Sequence, residues 1–258
     1  MLHQWRIKRK YFELLRSGEK QLEVRVGYGF VRKVREGDKI VFADYSPTQF
    51  LVRRITTYHS FQQMLLHEEA SKIIPRQTTM EVLHALQGIY PPQKEKLGVY
   101  VLELVPPPTI IHLSKTNPKV RSAYADELYQ LTDWICHDYP DHRSHYYQKY
   151  LPGLADGTRE ITGCYIGQIP AGVIILKNTP EEKKISTLYI ADDYRGLGLA
   201  SKLVQASESF LGTLKPTITV ADYKVPQFEG LIKRFGWEHT STLPQGYYND
   251  HSSEWVFN

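Results

Sequence analysis

The sequence has few of the features that mark secreted, metal-binding or membrane-spanning proteins. Its 258 residues include only two cysteines, Cys136 and Cys164, too few for a disulfide framework and without the spacing of a metal site. No run of about 18 apolar residues is present, so the sequence offers no transmembrane helix. The basic segment 1–10 is not followed by the apolar stretch of a secretory signal. These absences predict a soluble, cytoplasmic protein.

Proline is concentrated at one informative place, residues 106–108, where three in a row follow an apolar segment. Three prolines continue neither a helix nor a central strand and favour an extended spacer. This predicts a domain of residues 1–105, a proline linker at 106–108 and a domain of residues 109–258. With 41% hydrophobic residues, the chain can bury a core in both.

The net charge of +4 is divided unequally between the two predicted domains. Residues 1–108 contain 17 Lys and Arg and 11 Asp and Glu, a net charge of +6. Residues 109–258 contain 15 and 17, a net charge of −2. The first domain alone is therefore basic, which is consistent with contact to RNA.

The hydrophobic pattern predicts an α+β protein with two differently built domains. In the first, strands are predicted at 21–26, 40–42, 50–58 and 97–104, with helices at 11–18, 61–74 and 80–87. Several strands with little helical crossover favour a small β-barrel with helices packed at its side. In the second, helices at 120–135, 146–151, 198–211 and 225–235 alternate with strands at 110–113, 163–166, 171–176, 185–190, 217–221 and 255–257. That order predicts an α/β layout around a central sheet.

A glycine turn in the second domain joins a predicted strand to an amphipathic helix. Residues 188–200 read Leu-Tyr-Ile-Ala-Asp-Asp-Tyr-Arg-Gly-Leu-Gly-Leu-Ala. Glycines let the backbone approach a ligand closely, and the free amides at a helix start suit a pyrophosphate. Arg195 supplies a cation beside them. Neither the Walker pattern nor the Gly-x-Gly-x-x-Gly fingerprint is present, so an ordinary strand-to-helix turn is the alternative.

This run resembles the Arg/Gln-x-x-Gly-x-Gly/Ala motif of the GNAT family of N-acetyltransferases. Segments 184–190 and 228–237 are similar to the family's fourth strand and to its last helix with the following Gly-aromatic pair, and the similarity spans about residues 109–258. The resemblance implies a GNAT fold with a central mixed sheet, acetyl-CoA as co-substrate and no metal. The cofactor-binding residues it implies are Leu188, Tyr189, Ile190, Arg195, Gly196, Leu197, Gly198, Leu199, Ala200 and Ser201. The amides of 196–200 would hold the pyrophosphate, and strand residues 188–190 would pair with the pantetheine arm.

The sequence does not specify which residues transfer protons. Many GNAT members carry a tyrosine in the last helix as general acid, and the matching position here is Ile232. Tyr223 is the candidate replacement. Asp222, where many members have asparagine, is the candidate that binds the amine or acts as base. Asp222 could equally begin a turn and cap the next helix, and a water chain could remove the proton.

A stretch rich in histidine and tyrosine lies where GNAT proteins build their acceptor pocket. Its histidines and aspartates are His137, Asp138, Asp141, His142 and His145. They could bind a metal, but a solvated polar loop is the favoured interpretation. Its tyrosines either line the acceptor pocket or belong to core and surface; they are Tyr139, Tyr146, Tyr147 and Tyr150.

The first domain resembles the ASCH family, a PUA-like β-barrel. Residues 12–25 follow the pattern Phe-x-x-Leu-x-x-Gly-x-Lys-x-x-Glu-x-Arg, and the similarity covers about residues 2–105. It implies binding of RNA or a nucleotide-like ligand, or chemistry on a modified base, in a cleft lined by Lys20, Glu23 and Arg25. Some members hydrolyse acetylated cytidine with lysine, threonine and glutamate. Lys20 matches the lysine, but Glu23 occupies the threonine position and Pro75 falls near the third, which favours a binding cleft or a cleft with different catalytic chemistry.

The sequence as a whole therefore predicts an acetyl-CoA-dependent N-acetyltransferase acting on an unidentified amine. Its ASCH-like domain would bind RNA or a nucleotide-like ligand. Two alternatives stay open: a non-catalytic acetyl-CoA-sensing and RNA-binding protein, and an amidohydrolase of acetylated nucleosides that works through the ASCH-like domain.

Overall fold

The computed structural model describes all 258 residues, which divide into two compact units. Unit 1 comprises residues 1–108 with 166–169, and unit 2 comprises residues 109–165 and 170–258. At the proline run, one strand ends at Val105 and the next begins at Pro108. Proline is tolerated as the first residue of a strand because its missing N–H is not needed there. No helix has the length and apolarity required to cross a lipid bilayer.

Unit 1 combines five strands with five short helices. Its elements are β1 (Leu2–Trp5), α1 (Arg9–Ser17), β2 (Leu22–Val26), β3 (Lys39–Phe42), β4 (Gln49–Tyr58), α2 (Phe61–Leu65), α3 (Ala70–Ile73), α4 (Thr79–Ile89), α5 (Pro92–Glu95) and β5 (Val99–Val105). Local chemistry sets several ends. Gly18 ends α1 in the left-handed conformation at φ 83°, and Thr78 with Glu81 forms a capping box at the start of α4. The helix expected over 61–74 is two helices, α2 and α3.

The strands of unit 1 form one sheet in the order β1-β3-β4-β5-β2. β1 runs parallel to β3 and the remaining pairs are antiparallel. Because β1 and β2 stand at the two ends of this order, the predicted barrel is not confirmed, although the α+β class is. Alternation within β2 was predicted correctly: Leu22, Val24 and Val26 share one apolar core with α2, α3 and α4.

Unit 2 surrounds a seven-stranded mixed sheet. Its elements are β6 (Pro108–His112), α6 (Pro118–Thr132), α7 (His142–His145), α8 (Gly153–Asp156), β7 (Arg159–Ile166), β8 (Ile169–Asn178), β9 (Lys183–Ile190), α9 (Leu199–Leu211), β10 (Thr217–Ala221), α10 (Val225–Phe235), β11 (His239–Leu243) and β12 (Glu254–Phe257). The strand order is β11-β12-β10-β9-β8-β7-β6. The helix expected over 146–151 is a π-helical turn, Tyr146–Tyr150, and β11 was not predicted.

The sheet of unit 2 opens between β9 and β10. These parallel strands pair only at Thr217 with Lys184 and at Ile218 with Ile185. Beyond that point each strand is held on its outer side, β9 by β8 as far as Ile190 and β10 by β12 as far as Ala221. The inner edges therefore diverge and leave backbone donors and acceptors of residues 186–190 facing a gap.

Candidate active site

The glycine turn that follows β9 forms an anion-binding helix start. Gly196 and Gly198 adopt positive φ angles of 79° and 72°, which side chains rarely allow. Gly198 is the N-cap of α9 and no side chain caps this helix, so its first-turn amides remain available to a ligand. The helix dipole adds about half a positive charge at this end. The turn is thus shaped for a phosphate group.

Arg195 is held at the edge of this turn by two contacts. Its Nη2 lies 2.8 Å from Asp192 Oδ1, and its Nε donates to the Ile190 carbonyl at 3.3 Å. The side chain remains half exposed. Arg195 therefore presents a cation to solvent beside the glycine amides.

A cavity of about 1040 Å³ connects the turn with the gap between β9 and β10. One end is lined by residues 194–196 and 198–201 together with Gln227, Phe228, Gly230, Leu231 and Arg234. The wall of the cavity is formed by β9 residues 184–190 and β10 residues 218–221. The other end is lined by Tyr139, Tyr150, Tyr247 and Tyr248 among others. Nine of the ten predicted cofactor residues line this cavity: Leu188, Tyr189, Ile190, Arg195, Gly196, Gly198, Leu199, Ala200 and Ser201. Leu197 does not.

Asp222 and Tyr223, the two predicted catalytic residues, lie just after β10 but do not line this cavity. The Asp222 carboxylate accepts from Ser253 Oγ at 2.7 Å and from the Tyr223 amide at 2.6 Å, and the Ser253 bond holds the pKa of Asp222 below its usual value. Asp222 thus begins a turn, as the alternative predicted, but it does not cap the next helix, because α10 has Lys224 as its N-cap and no side-chain cap. The Tyr223 hydroxyl donates to Asp138 Oδ2 at 2.7 Å, and burial together with that bond raises the pKa of Tyr223.

A buried carboxylate that the sequence did not single out lies at the first residue of β12. Glu254 is fully buried, opposite Ala221 of β10. Tyr139 lines the cavity, and its hydroxyl donates to both oxygens of Glu254 at 3.1 and 3.2 Å. Burial raises the pKa of Glu254, while the Tyr139 bond and the Lys224 charge oppose the rise. The pair is separated by 115 residues, so no local pattern could have revealed it.

The histidine-rich stretch does not come together as one cluster. His142 is buried and bonded to Thr132 at 2.9 Å, and burial lowers its pKa to about 4. His145 lies 2.7 Å from the Lys149 ammonium. Only His137 meets Asp138, at 3.1 Å, joined by His251 from another segment at 3.4 Å.

Asp138 is also bonded to a cation. Its Oδ2 accepts from the Lys224 ammonium at 2.5 Å and from Tyr223. The lysine compensates the carboxylate charge, which weakens the electrostatic case for a metal ion at this cluster.

In unit 1, Lys20, Glu23 and Arg25 form a buried chain of ion pairs. The Lys20 ammonium donates to the carbonyls of Leu22 at 2.5 Å and Ile73 at 2.8 Å, and lies 3.2 Å from Glu23 Oε2. Arg25 Nε donates to Glu23 Oε1 at 2.7 Å. Burial lowers the pKa of Lys20 and Glu23 opposes that effect. The structure thus brings the three predicted residues together, and each ammonium proton of Lys20 has an acceptor.

Two family models match the chain, one in each unit. Residues 6–108 match the model described as ASCH domain, and residues 127–218 match the model described as Acetyltransferase (GNAT) family. No curated protein sequence matches the chain.

Solved structures resemble one unit or the other. A Pyrococcus furiosus protein with a solution NMR structure is 27% identical, covering 41% of this chain and 97% of its own, with a TM-score of 0.37. Ard1 from Thermoplasma volcanium is 16% identical, covering 58% of this chain and 95% of its own, with a TM-score of 0.46. Naa50 from Arabidopsis thaliana is 18% identical, covering 58% and 96%, with a TM-score of 0.43.

The family matches agree with the geometry of each unit. The glycine turn, the diverging strands and the cavity all belong to the unit that contains residues 127–218. Residues 6–108 contain the buried Lys20–Glu23–Arg25 chain. The chain therefore contains a region that matches the ASCH domain, residues 6–108, followed by a region that matches the acetyltransferase (GNAT) family, residues 127–218.

Proposed function

We propose that unit 2 transfers the acetyl group of acetyl-CoA to an amine bound in the cavity. The observation that carries this proposal is the continuity of three features: the uncapped glycine turn, the open edge of β9 and the cavity beyond it. Amides of residues 196–200 would bind the pyrophosphate, with Arg195 beside them. The open edge of β9 would hold the pantetheine arm in the manner of an added strand.

The backbone of β9 would polarise the thioester carbonyl. When bound, acetyl-CoA supplies a thioester that the amine attacks, so that a C–N bond forms while the C–S bond breaks. An amide of residues 188–190, directed into the gap, would donate to the carbonyl oxygen as charge develops on it. The outer side of β9 is anchored to β8, which keeps that amide in position.

Tyr139 and Glu254 are the groups that we propose for proton removal from the incoming ammonium. The ammonium would donate a proton to the Tyr139 oxygen while the Tyr139 proton passes to Glu254, to which it is already hydrogen-bonded. A carboxylate with a raised pKa suits this task because it holds the proton more strongly than an exposed glutamate. Tyr223 does not line the cavity and its hydroxyl donates to Asp138, so transfer of a proton from Tyr223 to the leaving thiolate stays a prediction from the sequence, as does a role of Asp222 in binding the amine or acting as base.

Binding of acetyl-CoA is tested by Gly198→Glu with Gly157→Glu as its matched control. Both glycines have positive φ, 72° and 73°, and a side chain at either would meet open space. Only Gly198 lines the cavity. Isothermal titration should show affinity lost by about 100-fold or more in Gly198→Glu and retained in Gly157→Glu. If the unaltered protein has no affinity for CoA, the proposal fails.

A non-catalytic acetyl-CoA sensor is the second candidate, because Ile232 replaces the tyrosine expected in the last helix. Release of free thiol over a panel of amines separates the two. Turnover with any amine supports the transferase, whereas CoA binding without thiol release supports the sensor.

For unit 1 we propose binding of RNA or a nucleotide-like ligand, supported by its net charge of +6. The ammonium of Lys20 is fully bonded within the protein, which disfavours its use in amide hydrolysis. Fluorescence anisotropy with single-stranded RNA at several salt concentrations tests this. Affinity that falls steeply with salt supports the proposal, and absence of binding at low salt refutes it.

A further inference from the structure

A cluster of cations occupies the end of the cavity that lies away from the glycine turn. We call Arg159, Lys177 and Lys184, with the single carboxylate Glu182, the basic cluster; all four line the cavity. Lys177 Nζ lies 2.7 Å and Lys184 Nζ 3.9 Å from the Glu182 carboxylate. Arg159 lies over the ring of Tyr150, 5.9 Å from its centre. Three cations thus surround one carboxylate, which leaves positive charge uncompensated in the cavity.

The charge of the cavity is opposite to the charge of the domain that contains it. Residues 109–258 have 15 Lys and Arg and 17 Asp and Glu. Seven of those cations line the cavity, but only two of the acids do, Asp141 and Glu182. The domain as a whole is net negative, whereas the charged residues that line its cavity are mostly cations. Concave sites lined by one sign of charge attract ligands of the opposite sign.

The strand register places two of these cations directly opposite each other, with only the Glu182 carboxylate to offset their repulsion. Lys177 on β8 and Lys184 on β9 are direct partners across the antiparallel pair. Like charges directly opposite each other destabilise a sheet. Both side chains are mostly buried, at 29% and 19% exposure, so solvent screens their repulsion only in part. Although burial raises the pKa of Glu182, its bond to Lys177 and the charges of Lys184, Lys177 and Arg159 lower it overall.

The position of the basic cluster separates it from the cofactor subsite. Leu188, where the reacting thioester is proposed to lie, is four residues along β9 from Lys184. At about 3.3 Å per residue this is roughly 13 Å. The CoA pyrophosphate would lie further still, at residues 196–200. The cluster is therefore placed to meet the far end of an acceptor whose amine reaches Leu188.

We propose that the acceptor is an elongated amine carrying an anionic group, phosphate or carboxylate, which the basic cluster binds at a distance of roughly 13 Å from the reacting nitrogen. This inference rests on the proposed acetyl transfer and adds the acceptor class to it. Arg159 supplies a planar fork of donors, and the two lysines supply point charges. Tyr150, whose ring packs against Arg159, forms part of the wall on which the acceptor lies.

The test uses small anions as probes of the cluster in the intact protein. Pyrophosphate and, separately, succinate are titrated by calorimetry into protein saturated with CoA, so that the glycine turn is already filled. Lys184→Gln is compared with Lys183→Gln, its neighbour on β9, which does not line the cavity. We expect binding to weaken about tenfold in Lys184→Gln and to change less than about twofold in Lys183→Gln.

Each result decides the proposal. Tighter binding of pyrophosphate assigns a phosphorylated amine, and tighter binding of succinate assigns a carboxylate. Absence of anion binding, or equal weakening in both variants, overturns the inference while leaving CoA binding intact. If CoA does not bind, the proposed transferase fails, and the same titration on the CoA-free protein still decides whether the cluster binds anions.

Discussion

Gly172 on β8 is expected to control the position of the strand that binds the thioester. It pairs with Ile190 of β9, and a Cβ added at residue 172 would lie 2.9 Å from the Tyr189 carbonyl oxygen and 2.5 Å from Ile190 Cδ1. The Ile190 methyl can rotate away, but the carbonyl cannot. An ordinary contact needs at least about 3.4 Å, so β9 must move away by roughly half an ångström.

The cost of that movement follows from the contacts it stretches. The Ala191 amide donates to the Ala171 carbonyl at 3.0 Å, next to the site of substitution, and a shift of this size would weaken the bond. Overpacking of this kind destabilises proteins by about 1–3 kcal/mol. Displacement of the 188–190 amides should also lower acetyl-CoA affinity and the rate of transfer, because catalytic groups tolerate little misplacement.

The assay is urea unfolding of Gly172→Ala followed by tryptophan fluorescence, which mostly reports unit 2 because it contains Trp134, Trp237 and Trp255. Calorimetry with acetyl-CoA provides the second measurement. Gly88→Ala is the control for acetyl-CoA affinity, since a Cβ there meets nothing within 4 Å and the residue lies in unit 1. Unchanged unfolding free energy together with unchanged acetyl-CoA affinity in Gly172→Ala would refute the idea that β8 sets the position of β9.

Three further predictions concern single side chains. Glu254→Gln should lower kcat by roughly 10²–10⁴-fold with acetyl-CoA affinity unchanged. Because burial raises the pKa of Glu254, activity of the unaltered enzyme should fall as pH decreases through that raised value; a rate profile in which Glu254→Gln keeps the same acid limb would contradict this. Lys20→Ala should lower the unfolding free energy of unit 1 by about 3–5 kcal/mol, because Glu23 and two carbonyls lose a buried partner. Urea unfolding measures this change, and an unchanged unfolding free energy would mean that the Lys20 contacts do not stabilise unit 1. Gly88→Ala should stabilise the protein by about 0.5–1 kcal/mol, because alanine has the higher propensity within helix α4, and a lowered melting temperature would contradict it.

Elements with strong local signals could be predicted from the sequence. Strand 217–221 and helix 225–235 have the predicted bounds, and Gly236 ends that helix in the left-handed conformation. The glycine turn before α9 was also recognised, because its backbone conformation depends on residues within a few positions of one another. The missed strand β11, His239–Leu243, is largely exposed and lacks apolar alternation. β11 therefore forms a strand only because it pairs with β12, which lies more than ten residues further along the chain.

The sequence by itself determined the two-part organisation, the glycine turn and the polar strand with Lys20, Glu23 and Arg25, because each is a short pattern with a local physical cause. Only the tertiary structure decided that Glu23 is buried between Lys20 and Arg25 rather than exposed on a sheet surface. It also brought Glu254 to Tyr139 and placed Lys177 opposite Lys184. These contacts depend on strand register and on the meeting of distant segments. Long-range contacts of this kind depend on the packing of the whole domain, and a short segment of sequence does not carry that information.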